Sequence, residues 1–278
     1  MPDSSGKFQK YQLALCQLEP AEIVPAAEQL SLEDRRPLFR WRAMSVAPEE
    51  SPFAFIAVES GRGGITSQIA LQMSLTSAVE KAQQMAEGPR EEEDSLSASN
   101  IVREVFREAN QQVYHYAHRM AAAGQVGATG LICAYDGQRF AVARVGRYES
   151  YLWRGGELLR LHQPQAETES EPGAGVLQRF IGANAQILVD LASVNLSEGD
   201  TVILSTIAWR DEFDAQARMI LREAKSLDTA AQNLAYLASE FSFHRPSRTS
   251  FTLQSNVLIL LLHVGRPIIA LTQMVYEE

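Results

Sequence analysis

The stretch Leu131-Ile-Cys-Ala-Tyr-Asp-Gly-Gln-Arg-Phe-Ala-Val-Ala-Arg-Val-Gly-Arg-Tyr-Glu-Ser-Tyr-Leu-Trp-Arg-Gly-Gly-Glu-Leu-Leu-Arg-Leu161 decides the fold class. It divides into four short apolar runs, Leu131 to Tyr135, Phe140 to Val145, Tyr148 to Trp153 and Leu158 to Leu161. The separators are Asp136-Gly137, Gly146 and Gly155-Gly156, which are turn and hairpin signals. Runs this short, rich in β-branched and aromatic residues and joined by such turns, predict an antiparallel meander.

Upstream, Phe53 to Val58 is a continuous apolar run that ends in Gly61-Arg-Gly-Gly64, and apolar residues then recur at helical spacing from Ile65 to Ala86. This predicts a buried strand, a tight turn and a helix. Ile101, Val102, Val105, Phe106, Ala109, Val113 and Tyr116 form one face of a second helix, with Ser99 or Asn100 as its expected cap. Tyr11 to Leu15 and Leu38 to Val46, set among five prolines, predict irregular edge strands. Downstream of the meander, residues 163–179 have the composition of an exposed flap. A strand at Thr201 to Ser205, helices at about Asp211 to Ala224 and Asp228 to Phe241, and a long strand at Ser255 to Val264 follow. Early helices, a central meander, late helices and a closing strand predict a layered α+β sandwich rather than a βαβ repeat.

The chain of 278 residues is 46% hydrophobic, enough for a sizeable core in one domain, read as 1–265 with a C-terminal extension at 266–278. Its net charge of −9 argues against nucleic acid held by bulk electrostatics. The longest strongly apolar stretch, Val257 to Val264, is too short for a membrane helix, and Pro2-Asp-Ser-Ser5 does not resemble a signal sequence. Two distant cysteines, Cys16 and Cys133, exclude a disulfide framework and a cysteine zinc site. The expected location is cytoplasmic, with no nucleic acid and no membrane among the partners.

The order of landmarks resembles the metal-dependent type 2C, or PPM-type, protein serine/threonine phosphatases over roughly Glu33 to Val264. Phe53-Ala-Phe-Ile-Ala-Val-Glu-Ser-Gly-Arg-Gly-Gly64 is similar to that family's strand, aspartate-glycine and helix. Val126-Gly-Ala-Thr129 stands at its Met-Gly-Thr-Thr turn, and Val145-Gly-Arg-Tyr-Glu-Ser-Tyr151 at its Val-Gly-Asp-Ser-Arg-Ala-Tyr. Glu198-Gly-Asp-Thr-Val-Ile-Leu-Ser-Thr-Ile-Ala-Trp209 stands at the strand ending in Ser-Asp-Gly-Leu, and Ser255-Asn256 at the Asp-Asn before the last strand. The resemblance implies a four-layer α/β/β/α sandwich of two antiparallel sheets flanked by helices. It also implies a site where paired divalent ions, held by aspartates, activate water against a phosphoester.

Several family positions are altered. The first aspartate is Glu59, the hairpin aspartate and arginine are Arg147 and Glu149, the Ser-Asp-Gly aspartate is Ile207, and the Asp-Asn aspartate is Ser255 with Asn256 retained. An apolar side chain cannot ligate a hard cation, and a hydroxyl replaces a carboxylate poorly. Glu33-Asp34 resembles the remnant of an acidic pair, but Gln29 stands where its arginine would be. The resemblance therefore implies vestigial site positions at Glu59, Arg62, Arg147, Ile207, Asp211, Ser255 and Asn256, with no catalytic residue and no cofactor. The alternative is a weak or altered Mn²⁺- or Mg²⁺-dependent phosphatase whose ligands would be Glu33, Asp34, Glu59 and Asp211.

Arg62 in the glycine loop adds a case for anion contact, although neither a P-loop nor GxGxxG is present. Trp209, beside Ile207, suggests an apolar cleft for a peptide or partner, against the plainer reading that the pocket has filled with core. Arg147 and Glu149 read as a structural charge pair kept with its signs exchanged, or as a coincidental surface ion pair. His115 and His118, three apart on a helix, and the isolated His162, His244 and His263 read as surface or helix-packing residues, and Cys133 reads as core. The acidic run Glu91 to Asp94 reads as a solvated loop, and Pro267 to Tyr276 as an added strand or helix. Together these features predict an inactive phosphatase relative that binds a protein partner, a phosphoprotein or a component of a kinase pathway.

Overall fold

A computed structural model describes residues 11–18, 39–45, 53–60, 64–87, 97–122, 126–146, 148–162, 180–206, 209, 211–243 and 257–265. Within these, the backbone alone is described at 39–40, 42–45, 53–60, 64–67, 86–87, 211–212 and 240–243. The strands are β1 (Tyr11–Leu18), β2 (Phe39–Ser45), β3 (Phe53–Ser60), β4 (Ala128–Tyr135), β5 (Arg139–Val145), β6 (Glu149–Arg154), β7 (Glu157–Arg160), β8 (Asp190–Asn195), β9 (Thr201–Ser205) and β10 (Val257–Val264). The helices are α1 (Gly64–Glu87), α2 (Ala98–Arg119), α3 (Asp211–Glu223) and α4 (Leu227–Phe243).

The strands form two five-stranded sheets, ordered β1-β10-β9-β6-β7 and β2-β3-β4-β5-β8, with every pairing antiparallel. Strand β10 shows why they stack. Its Leu258, Leu260, Leu262 and Val264 join a cluster with Leu131, Cys133, Tyr135, Phe140 and Val142 of the other sheet, which fills the space between the sheets. Its Val257, Ile259 and Leu261 face the opposite way, onto Phe213, Ala217, Leu234 and Ala238 of α3 and α4. Successive side chains of a strand point to opposite faces, so a strand buried on both must be apolar throughout. The far layer follows the same logic, with Ala141, Ala143 and Val145 of β5 against Leu71, Leu75, Val102 and Phe106 of α1 and α2. The result is the four-layer α/β/β/α sandwich.

Local chemistry sets the boundaries. Helix α2 buries Ile101, Val102, Val105, Phe106, Ala109, Val113 and Ala117 along one stripe. Its cap is Ser97, two residues before the expected Ser99, and the Ser97 hydroxyl accepts from the Asn100 amide at 3.4 Å. A carboxylate also supports this helix end: Asp136, in the β4–β5 turn, accepts from the Ala98 amide at 3.1 Å. Strand β4 begins at Ala128, within a segment read from sequence as a turn, because Glu59 and Ser60 of β3 pair with Thr129 and Ala128. The sequence reading has no strand at Asp190–Asn195. It lies at the edge of its sheet, half covered, and lacks the apolar run that marks a buried strand. The acidic run at 91–94, the flap at 163–179 and the extension at 266–278 lie outside the described residues. No described helix is long and apolar enough to cross a membrane.

Candidate functional site at the convergent strand ends

Through its register the sandwich brings to one end the strand ends that border the sequence-selected segments. Glu59, the last residue but one of β3, pairs with Thr129 near the start of β4, whose next residue, Gly130, pairs with Val145 at the end of β5. A short connection through Gly146 and Tyr148 leads from β5 in one sheet to Glu149, the first residue of β6 in the other. Glu149 pairs with Ser205 at the end of β9, and Ser205 with Ile259 near the start of β10. Positions 62, 147, 207, 255 and 256 follow or precede these strand ends in the chain, but they, with 33 and 34, lie outside the described residues. Asp211 opens α3, and for it and Glu59 only the backbone is described.

What the described side chains build here is a buried charge cluster. Arg144 continues the alternation of Phe140 and Val142 and so points between the sheets, where its side chain is 1% exposed. Its Nη1 donates to the Tyr148 carbonyl and lies 3.2 Å from Glu149 Oε1, while its Nε lies 3.7 Å from Asp190 Oδ2. Glu149 is 8% exposed at its side chain, so it is a buried ion rather than half of a surface pair. Its Oε2 makes no hydrogen bond among the described residues and lies 3.9 Å from Arg160 Nε. Burial raises the Glu149 carboxyl above the ordinary carboxylate range, and Arg144 and Arg160 pull it back down. Arg160 also donates to Tyr151 Oη at 3.2 Å and to the Trp209 carbonyl at 3.3 Å.

Trp209, read from sequence as a cleft residue, is instead a core side chain, 5% exposed. Its ring lies 4.2 Å from that of Tyr151, nearly parallel, and 4.1 Å from that of Phe213. Its Nε1 donates to Ser205 Oγ at 2.9 Å, which satisfies the one polar atom that burial would otherwise strand.

The histidines divide. His115 and His118 are exposed on α2, as expected, while His162 and His263 are buried beside strands. His162 Nε2 donates to the Asp190 carbonyl at 3.0 Å, which leaves Nδ1 to accept from Ser150 Oγ at 2.7 Å. Ser150 belongs to one sheet and Asp190 to the other, so the imidazole bridges them. With Ser150 wholly buried, the serine-histidine pair has no route to a substrate. Burial, with the Arg144 guanidinium nearby, pushes the imidazole from 6.5 down to about 4. The unfolded chain therefore binds the proton more readily than the folded one. Stability is full above about pH 6.5, falls as the pH drops through this window and levels below about 4, a loss of up to about 3 kcal/mol. Urea unfolding at stepped pH should show this slope, and His162→Gln should flatten it; an unchanged slope in the variant would assign the acid sensitivity elsewhere.

No protein-family model and no curated protein matches the sequence. Solved structures do. The serine/threonine phosphatase of S. agalactiae matches with a TM-score of 0.62 at 19% identity, covering 92% of this chain and 100% of that one. PppA of Pseudomonas aeruginosa matches at 0.59 and 16% identity, covering 92% and 99% of the two chains. The catalytic domain of PstP, in complex with two manganese ions, matches at 0.60 and 14% identity over 92% and 99%.

The fold is that of the PPM-type serine/threonine phosphatases.

Identities this low carry the fold and leave the chemistry to this chain's own residues. For a divalent ion in this phosphatase fold, the described donors are a poor fit: no three histidine, cysteine or acidic side chains among the described residues come together. Among the described side chains, the carboxylates Glu149 and Asp190 at these strand ends lie beside the guanidinium of Arg144. A hard dication needs several free oxygens, and for these two carboxylates an arginine is already the counterion. The signal for this cluster was present in the sequence as a lone arginine at an inward position of an apolar strand.

Proposed function

We propose that this phosphatase-fold chain is catalytically inactive and acts by binding another protein, as a regulatory pseudophosphatase. The observation that carries the reading is the replacement of family aspartates by Ile207 and Ser255, in segments next to strand ends that converge on a carboxylate already paired with arginine. A catalytic pair of ions needs its oxygens unpaired and clustered, and a side chain such as isoleucine supplies none. The partner class that suits a retained phosphatase framework is a phosphoprotein or a component of a kinase pathway. PppA, which has this fold, is described as a key regulatory component of T6SS, and that supports a regulatory role for a member without turnover.

The competing reading is a weak Mn²⁺- or Mg²⁺-dependent phosphatase using Glu59, Glu33, Asp34 and Asp211, favoured by the place of Glu59 at the end of β3 beside Thr129. Hydrolysis of an aryl phosphate and of a phosphothreonine peptide, in excess Mn²⁺ or Mg²⁺ and with Glu59→Ala in parallel, separates the two. The expected result is no turnover above that of the variant. Metal-dependent turnover that disappears in Glu59→Ala would replace the binding reading with the enzymatic one.

A further inference from the structure

A guanidinium buried between two sheets is costly, because removing a charge from water is repaid only by close partners of opposite sign. A leucine at position 144 would continue the alternation of Phe140 and Val142 at no such cost. The arginine is instead held by the Tyr148 carbonyl and Glu149 on the β6 side and by Asp190 on the β8 side. Arg160 stands on the second oxygen of Glu149. Two guanidinium groups thus face two carboxylates, with Asp214 of α3 adding a more distant negative charge that acts on both Glu149 and Arg160. A dication added to this set would find no further counterion among the carboxylates named here.

We infer that Arg144 is the resident cation of this end of the sandwich, an ionic clamp that joins the two sheets beside the vestigial metal positions and frees the fold from any need for divalent metal. The inference rests on the inactive reading and goes beyond it, since it names the group that compensates the site's carboxylates. The Arg144 clamp differs in kind from the Arg154 contact at the other end of β6. There a 41% exposed guanidinium meets Asp200 at 2.5 Å and the Asn195 carbonyl at 2.8 Å, and water can replace it.

The test is thermal unfolding of the full chain, with EDTA and with excess Mn²⁺, for the wild type, Arg144→Lys, Arg144→Met, Glu149→Gln and Arg144→Met/Glu149→Gln. The wild-type midpoint should be the same with chelator and with metal. Arg144→Met should fall by roughly 10 °C, and Arg144→Lys, which keeps the charge but loses the planar fork, by less. The double variant should melt above Arg144→Met, because glutamine in place of Glu149 removes a buried charge left without its partner. If Arg144→Met does not fold, the order wild type above Arg144→Lys, with Glu149→Gln also lowered, carries the same information.

A double variant no more stable than Arg144→Met would reduce Arg144 to packing, and a saturable Mn²⁺-induced rise in the wild type would make metal the clamp. Either result overturns the inference. Turnover is read on the same samples, and its appearance with metal would overturn the inactive reading separately, whatever the midpoints do.

Discussion

Trp209→Ala is expected to lower the unfolding free energy by about 3–5 kcal/mol, the range for truncating a large buried aromatic residue. The indole packs between Tyr151 of β6 and Phe213 of α3, so its loss opens a cavity where the sheet meets the helices. Neither neighbour can close the gap easily, since Tyr151 is 1% exposed and Phe213 likewise 1%. Trp209→Phe keeps most of the stacked surface and loses the Nε1 donation to Ser205 Oγ, and should cost about 1–2 kcal/mol. Equilibrium urea unfolding of both variants measures the difference. A loss below about 1 kcal/mol for the alanine variant would mean that the indole is not core and would return it to an open cleft.

Gly182→Ala should be nearly as damaging, and its cause can be isolated. Gly182 has φ +92° and its amide donates to Asn110 Oδ1 at 2.8 Å, while Asn110 Nδ2 donates to the Asn184 carbonyl at 2.9 Å. A Cβ there would lie 2.3 Å from Val113 Cγ1, on a helix residue that is itself wholly buried. Gly199 has almost the same backbone angle, φ +93°, with nothing within 4 Å of its Cβ position. Gly199→Ala should therefore show the conformational cost alone, about 1 kcal/mol, and Gly182→Ala that cost plus overpacking, roughly 3 kcal/mol or more. Equal losses at the two positions, read from denaturation midpoints, would show that α2 yields and that Asn110 does not hold the 180–185 segment rigidly.

The meander was legible because its strands are separated by turn pairs and its apolar runs are buried. Strand β8 was not, because Asp190-Leu-Ala-Ser-Val-Asn195 has one neighbour and half its surface in water, and edge strands need no continuous apolar run. The site divides along the same line. The family resemblance joins Glu59, Arg147, Ile207 and Ser255 into one argument; the last three lie outside the described residues, while the strand ends that border them come together. Glu149 was seen but paired with its neighbour Arg147, since local spacing offers only local partners. Its described partners are Arg144 of β5, in the facing sheet, and Arg160 of the neighbouring β7. Alternation places Arg144 on an inward face, the β5–β8 register sets Asp190 opposite it, and only the stacking of two sheets brings Glu149 to it. His162 was missed for the same reason, because its bridge spans residues from both sheets.

The pairing of β1 with β10, from Tyr11 opposite Val264 to Leu18 opposite Val257, has a consequence for biosynthesis. The sheet of β2, β3, β4, β5 and β8 has all its strands once residue 195 has left the ribosome, together with the two helices that cover it. The other sheet cannot close then. Among the described strands, β1 is translated before every other, and its neighbour in the sheet, β10, is translated last. During elongation β1 must wait as an unpaired apolar segment, and β9 keeps an open edge until residues 257–264 emerge to fill the gap between them. Completion of this sheet is therefore timed by the emergence of β10, and a nascent chain halted before that point exposes two strand edges that chaperones would have to shield.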